Sequence, residues 1–426
     1  MGESRYKRNM AWVIGIGIAL LAIHNRWLTL TDSSGITWIF LPQLGMSLSI
    51  IGVLMIIMVY KKKVTWGSKW LYIPLLIIAA SIAIADMWQY AVGTKTLMQA
   101  GGSIVFALYL VGIYLSARIL KEALFRPFLY ITIIVSMSCV VMGLMHFGVK
   151  TGGLASPTNY DMATGLMVFG LLVSAVKHQW WLSAVVLAGL VFTGAEEAIV
   201  AIVVLAVAVL IRRDWSKKLL LPVGVITIIV IGGLLLPHNA HRMTLEKPEL
   251  LVQIIKTPTG YVHINSLSTI VYDGQEYREQ KIVTKAEALD YLSGYRYLKY
   301  WRISELQPFG YGYNISNFND DANRGAIPHN VFLVITEQVG LIAALAWLFV
   351  VGYCLVKTRY KYAFIGLLAL AVFDHYYWTQ VAPWFWALVG VASASLITSD
   401  KIFREVKGND KEVHAVVVAK DESKRT

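Results

Sequence analysis

The sequence predicts an all-α polytopic membrane protein of about twelve transmembrane helices, with one extracytoplasmic loop domain of helices plus a short hairpin. Three observations carry that expectation. The 426 residues are 57% hydrophobic and 15% charged, with a mean hydropathy of +0.59; soluble domains carry about a quarter charged residues. Apolar runs recur along the chain with polar breaks between them. The basic residues alternate in density from one break to the next.

In order, the runs are Met10–Ile23, Trp38–Tyr60, Leu71–Met87, Leu97–Leu115, Phe128–Met145, Met162–Val176, Trp181–Thr193, Ala198–Ile211 and Leu219–Leu236. After a large polar segment come Val331–Val356, Ala363–Tyr377 and Pro383–Ile397. A span needs roughly 17–25 residues, and several of these runs extend into polar flanks. The short pair around Thr193–Ala198 also reads as one re-entrant hairpin.

Charge tests the count. Alternate breaks hold Lys61-Lys62-Lys63 with Lys69, then Arg118, Lys121 and Arg126, then Lys177, then Arg212, Arg213, Lys217 and Lys218, then Lys357, Arg359 and Lys361. The short breaks between them hold single basic residues, Arg26, Lys95 and Lys150. Basic residues concentrate on the cytoplasmic side of membrane proteins, so the alternation fits an even number of spans with both termini cytoplasmic. The net charge of +12 is explained by this placement and needs no nucleic acid partner. Cys139 and Cys354 both fall in apolar runs, which excludes a disulfide framework for the polar loop and metal ligation by cysteine. Met10–Ile23 follows Arg5, Lys7 and Arg8 in the manner of a signal peptide, but lacks a small-residue cleavage site and reads as a retained first span.

Four regions follow: spans one to nine over residues 1–236, the extracytoplasmic domain over 237–328, spans ten to twelve over 329–398, and a polar cytoplasmic tail over 399–426 that reads as disordered. Within the domain, Ile270–Tyr272 and Gln275–Tyr277 flank Asp273-Gly274, a two-residue hairpin signal. Thr284 and Glu287 form a capping box that opens a helix to about Ser304.

Several groups could carry chemistry. Pro308–Leu341 is rich in glycine, asparagine and acids, and places His329-Asn330 where the loop meets a span. His329 there has the ionisation range of a general base; equally, His329 or Asn330 would cap the helix that follows. Arg242, Arg296, Lys299, Arg302 and Arg324 are outer cations, and arginine forks match phosphate oxygens in pairs. Each taken singly also reads as a solvated surface charge. Lys150 begins a polar break in which Pro157, Asn159 and Asp161 make a turn and helix start. Glu196-Glu197 sits at an outer tip, where carboxylates suit a helix N-terminus. Asp374-His375 lies beside Tyr376, Tyr377 and Trp378, a setting that suits sugar stacking or an interfacial aromatic belt.

Taken together these motifs resemble the O-antigen ligase and O-antigen polymerase superfamily of bacterial envelopes. The resemblance rests on Phe309-Gly310-Tyr311-Gly312, then His329-Asn330-Val331-Phe332-Leu333, then Glu337-Gln338-Val339-Gly340. Ser293-Gly294-Tyr295-Arg296 with Trp301, Pro157-Thr158-Asn159, and Phe373-Asp374-His375 through Trp378 extend it. It implies a GT-C type fold in a bacterial inner membrane and metal-independent, cofactor-free inverting transfer at the outer face. The donor would be an undecaprenyl-pyrophosphate-linked glycan, and the acceptor a glycolipid or another lipid-linked glycan. His329 would be the base and Arg296 a pyrophosphate ligand, helped by Arg242, Arg302, Arg324 or Lys150; Asn330, Glu337, Asn159, Asp161, Glu196, Asp374 and His375 would support the substrates. One departure stands out. The family has Ser-Arg at the start of the eighth span, where this chain has Ala195-Glu196. A flippase or transporter of the same lipid-linked glycans is the alternative. It would call for a charged path through the bundle, and mid-span charges are nearly absent.

Overall fold

The computed structural model describes residues 2–21, 23, 30–31, 37–39, 41–145, 154, 180–193, 256, 261–272, 275–284, 309–313, 330–358, 360–373, 377–379 and 381–396. Their helices are α1 (Gly2–Leu21), α2 (Leu41–Val59), α3 (Lys69–Ala91), α4 (Leu97–Leu120), α5 (Phe125–Met145), α6 (Trp180–Thr193), α7 (Val331–Val339), α8 (Leu341–Lys357), α9 (Lys361–Phe373) and α10 (Ala382–Leu396). Two antiparallel strand pairs accompany them, β1 (Leu30–Thr31) with β2 (Thr37–Ile39), and β3 (Tyr261–Tyr272) with β4 (Gln275–Thr284).

Among the described residues, two stretches, Lys69–Ala91 and Leu97–Met145, are long and apolar enough to cross a membrane. At 1.5 Å per residue α3 is about 34 Å long, against a hydrocarbon layer of about 30 Å. Its outward face carries Trp70, Ile73, Ile77, Ile84, Met87 and Trp88, all exposed, while Leu71, Leu75, Ile78 and Ile82 are buried. A helix apolar on both faces suits a surrounding that is itself apolar.

Small residues let the helices close up. A Cβ on Gly45 of α2 would lie 2.5 Å from the Gly17 carbonyl oxygen of α1, the close approach that packs helices where burial from water is not the driving force. Ser49, one turn on, donates to the Gly45 carbonyl at 2.8 Å and shares a 2.7 Å hydrogen bond with Tyr109 of α4. From this trio the packing spreads through α3 on α4 and α8, and α5 on α1 and α6.

Cross-links place the helix ends at two poles. At the first, Arg118 of α4 donates to the Thr65 carbonyl at 2.8 Å and to Ser393 of α10, and Tyr114 donates to the Trp66 carbonyl at 2.8 Å. Ser68 meets Tyr353 of α8, Tyr360 donates to Glu122 at 2.9 Å, and Lys7 and Lys63 lie over the Tyr60 ring. At the opposite pole, Trp384 of α10 donates to the Ile18 carbonyl of α1 at 3.1 Å. The first described helix therefore starts, and the last ends, at the same pole.

Several expectations shift. The apolar run Val331–Val356 is two helices: Gly340, at φ 91°, turns the chain between α7 and α8. An apolar run does not register a single backbone reversal that only glycine makes without strain. The second span starts at Leu41 instead of Trp38, because residues 37–39 pair with 30–31. A hairpin does form where the Asp-Gly signal predicts one, with Tyr272 opposite Gln275, but the strands are longer than expected and pair out to Tyr261 opposite Thr284. Thr284 is thus a strand end, a backbone geometry that an N-cap also adopts; the helix expected after it lies outside the described residues, as do the runs Met162–Val176, Ala198–Ile211 and Leu219–Leu236. Both cysteines are free and buried.

Gly45→Val forces a branched side chain against the α1 backbone. Overpacking of this kind costs on the order of 1–3 kcal/mol, so the thermal midpoint of the detergent-purified variant falls below that of the parent, while Gly352→Ala in α8, where an added Cβ meets nothing within 4 Å and the backbone is helical, leaves the midpoint near the parent's.

Candidate functional site

Three segments far apart in sequence meet at the second pole: the α3–α4 turn, residues 309–313, and the C-terminal half of α7 with Trp378 behind it. The turn is built first. Thr94 and Lys95 both direct their N–H groups to the Gln89 carbonyl, at 2.9 and 3.1 Å, with Gly93 at φ 77° making the bend. Thr96 and Gln99 then cap α4 reciprocally, at 3.3 and 2.9 Å. The fold-back brings Lys95 over Asp86, about five residues inside the end of α3, and the two form a buried ion pair. Asp86 is 0% exposed and Lys95 8%.

The pair is not closed on itself. Lys95 Nζ also donates to the Tyr313 carbonyl at 2.6 Å, and Asp86 Oδ2 accepts the Tyr313 N–H at 3.2 Å. Both peptide groups of one residue are therefore held by the two charges. Gln89 Nε2 adds a bond to the Gly310 carbonyl at 3.2 Å. Removing one partner of such a buried pair would leave the other charge uncompensated, at roughly 3–5 kcal/mol.

The same short loop finishes α7. A helix end leaves its last carbonyls without intrahelical partners. Tyr311 N–H donates to the Glu337 carbonyl at 2.8 Å, Gly312 N–H to the Gln338 carbonyl at 2.9 Å, and Gly340 N–H to the Thr336 carbonyl at 3.1 Å. This contact is why glycine stands at 310 and 312. A Cβ on Gly310 would sit 2.4 Å from the Gln338 carbonyl, and one on Gly312 3.0 Å from Lys95 Cε; both residues have positive φ.

Behind the loop, Trp378 Nε1 donates to Gln338 Oε1 at 2.9 Å, and Tyr313 donates its hydroxyl to the Trp378 carbonyl at 3.3 Å. Burial, and then the Asp86 carboxylate, push the Tyr313 phenol above its ordinary value, so it stays protonated and able to donate. Its ring stacks on Phe106 and meets Trp378 edge-on. Phe309, half exposed, lies against Trp88 of α3.

Of the residues singled out from sequence, Asn330 and Glu337 are described. Asn330 is the N-cap of α7, its Oδ1 accepting from Leu333 N–H at 3.1 Å and its Nδ2 donating to the Val372 carbonyl of α9 at 3.3 Å. Glu337 is fully buried, on the turn whose carbonyls receive the loop. His329, Arg242, Arg296, Arg302, Arg324, Lys150, Asn159, Asp161, Glu196, Asp374 and His375 lie outside the described residues. Sequence reasoning passed over Asp86, counted Lys95 only as a sidedness marker, and took mid-span charge to be nearly absent. An aspartate inside the apolar window of α3, nine residues before a lysine, was the available signal.

No protein-family model matches the chain, and no curated protein sequence matches it.

Gly310→Ala tests the seat of the loop. A side chain at positive φ costs roughly 1–2 kcal/mol, and the added clash with Gln338 displaces the loop. Hydrogen exchange at Tyr311 and Gly312 speeds up in the variant, while exchange in α4 is unchanged.

Proposed function

We propose that the chain is an integral membrane glycosyltransferase of the O-antigen ligase and polymerase kind. It would transfer or polymerise an undecaprenyl-pyrophosphate-linked glycan at the outer face of a bacterial inner membrane, with about twelve spans and both termini cytoplasmic. One observation carries this reading. Phe309–Gly312, Asn330–Gly340 and Trp378 belong to the motifs on which the resemblance rests, and they are joined at one pole by the hydrogen bonds of Tyr311, Gly312, Tyr313 and Trp378. Motif residues that meet in space share a task more readily than residues that merely follow in order.

The sidedness has its own support. The pole with Lys63, Arg118 and Lys357 is the basic one, and the pole with residues 310–313 is the other. That is the arrangement the positive-inside rule requires if the loop faces outward.

In this mechanism His329 removes the proton of the acceptor hydroxyl as that oxygen attacks the anomeric carbon of the donor. The glycosidic bond to pyrophosphate breaks with inversion, and the pyrophosphate leaves on its lipid. Arg296, with Arg302, Arg242, Arg324 or Lys150, stabilises the charge that develops on it. Since Glu196 stands where the family has arginine, the phosphate-binding half of the site draws on cations elsewhere in the outer segments.

Purified protein with a lipid-pyrophosphate-linked oligosaccharide and an acceptor forms a new glycosidic bond, which a flippase would not do. His329→Ala abolishes bond formation at unchanged protein level; normal transfer by that variant would sink the assignment. Transfer persists in EDTA, and strict dependence on added divalent metal would overturn the metal-independent mechanism.

A further inference from the structure

We infer that the outward face of α3 and α8 is a lipid-contacting surface, with Trp70 and Trp88 at the two headgroup levels of a phospholipid bilayer. Trp88 and Phe309 together seat residues 309–313 at the headgroup level of the second pole. The inference rests on the membrane-embedded reading and not on the transfer proposed above.

Three features of the geometry lead there. First, the exposed residues of α3 form one stripe. Trp70 and Trp88 lie about five turns apart, and so on one face, about 27 Å from each other along the axis. Ile73, Ile77 and Ile84 fill the stripe between them, and the one charged residue in that stretch, Asp86, is buried. α8 packs alongside and adds Ile342, Leu345, Phe349 and Val356, all exposed, with no charge before Lys357. Second, aromatic rings gather at both ends of the stripe. At the first pole Trp70 meets Phe349 and lies under the Lys69 ammonium at 5.3 Å, while Lys61, Lys62 and Lys63 just before it are exposed. At the second pole Trp88 meets Phe309, and Tyr90 beyond it is exposed. Tryptophan and tyrosine collect where bilayer hydrocarbon meets water, and the basic end suits the anionic headgroups of a cytoplasmic leaflet. The separation of the two tryptophans is close to the thickness of the hydrocarbon layer, about 30 Å. Third, helices that pair within a bilayer bring small residues together, as Gly17 and Gly45 do where α1 meets α2. Tryptophan and isoleucine on the stripe hold a second helix away and leave acyl chains as the occupant.

At this register the candidate site lies at headgroup depth. Asp86 precedes Trp88 by about 3 Å along the helix axis, and its ion pair with Lys95 holds the Tyr313 peptide groups there. Phe309, half exposed against Trp88, carries the aromatic belt from α3 onto the loop. A substrate with its polar group at that depth reaches residues 309–313 without leaving the bilayer.

The test is spin labelling of the full chain in nanodiscs of phosphatidylcholine and phosphatidylglycerol. Trp70→Cys, Ile77→Cys, Ile84→Cys, Trp88→Cys and Phe309→Cys each carry one nitroxide, and the parent, whose cysteines are both buried, is the labelling blank. Each label is relaxed by oxygen, which dissolves in acyl chains, and separately by a water-soluble nickel chelate. The expected ratio of oxygen to nickel accessibility is highest at Ile77, lower at Ile84, and lowest at Trp70, Trp88 and Phe309. Ile73→Cys, one turn away on the same stripe, takes the place of Ile77→Cys if that variant does not fold. A label at Ile77 shielded from both reagents means that protein covers the face, a second copy included, and overturns the inference. Nickel access at Ile77 means water there and overturns it as well. A label at Phe309 as deep as the one at Ile77 overturns the placement of residues 309–313. None of these readouts depends on transfer, so failure of the glycosyltransferase reading leaves the inference standing, and the reverse holds too.

Discussion

A helix that stops inside an apolar bundle exposes carbonyls that no water can reach, and much of the described architecture follows from how α7 meets that constraint. Its last turn is closed from outside, by a loop that lies some 25 residues upstream in the chain. That loop has peptide groups of its own to satisfy. Gln89, Asp86 and Lys95 supply the partners, and Trp378 completes the ring through Gln338 and Tyr313. These peptide groups are thus answered by other elements, so the turn, the loop and the broken helix stand or fall as a unit. An unsatisfied buried group costs several kcal/mol in such surroundings.

The Arg118–Thr65–Ser393 link of α4 to α10 lies at the opposite pole. Arg118 is nearly buried, and its guanidinium is spread over two threonine oxygens and a serine. One pole is therefore fastened by a cation bonded to neutral oxygens, the other by a cation neutralised by a carboxylate. The second has its charges committed to both peptide groups of Tyr313.

The helices were largely legible in the sequence, because their existence depends on run length and composition. α4 starts at Leu97 and α5 ends at Met145 as the hydrophobic pattern indicates. The β3–β4 hairpin was legible because a two-residue Asp-Gly signal suffices to specify one. What escaped depends on partners distant in the chain. Gly340 inside an apolar run looks like any other small residue until residues 310–312 arrive to cap the helix it ends. Asp86 looks like an isolated intrusion until Lys95 folds over it. The start of α2 was missed for the same reason, since residues 37–39 are diverted into a strand by Leu30–Thr31. Within the candidate site, Asn330 could be read as a cap from its position alone, whereas the burial of Glu337 and Gln338 required the fold. The His329 and Arg296 roles stand on motif order and remain proposals.

The Asp86–Lys95 pair also bears on how such a chain is made. Its two members are nine residues apart within a single helical hairpin, while the Tyr313 they hold is synthesised more than 200 residues later. A chain emerging from the ribosome N-terminus first can therefore neutralise its buried charges as the α3–α4 hairpin enters the bilayer, in the membrane-embedded reading, with no need of a distant partner. The pair then waits as a formed receptor with two hydrogen-bonding sites open. Assembly is ordered in time: a local contact eases insertion, and the same contact later holds residue 313 in place.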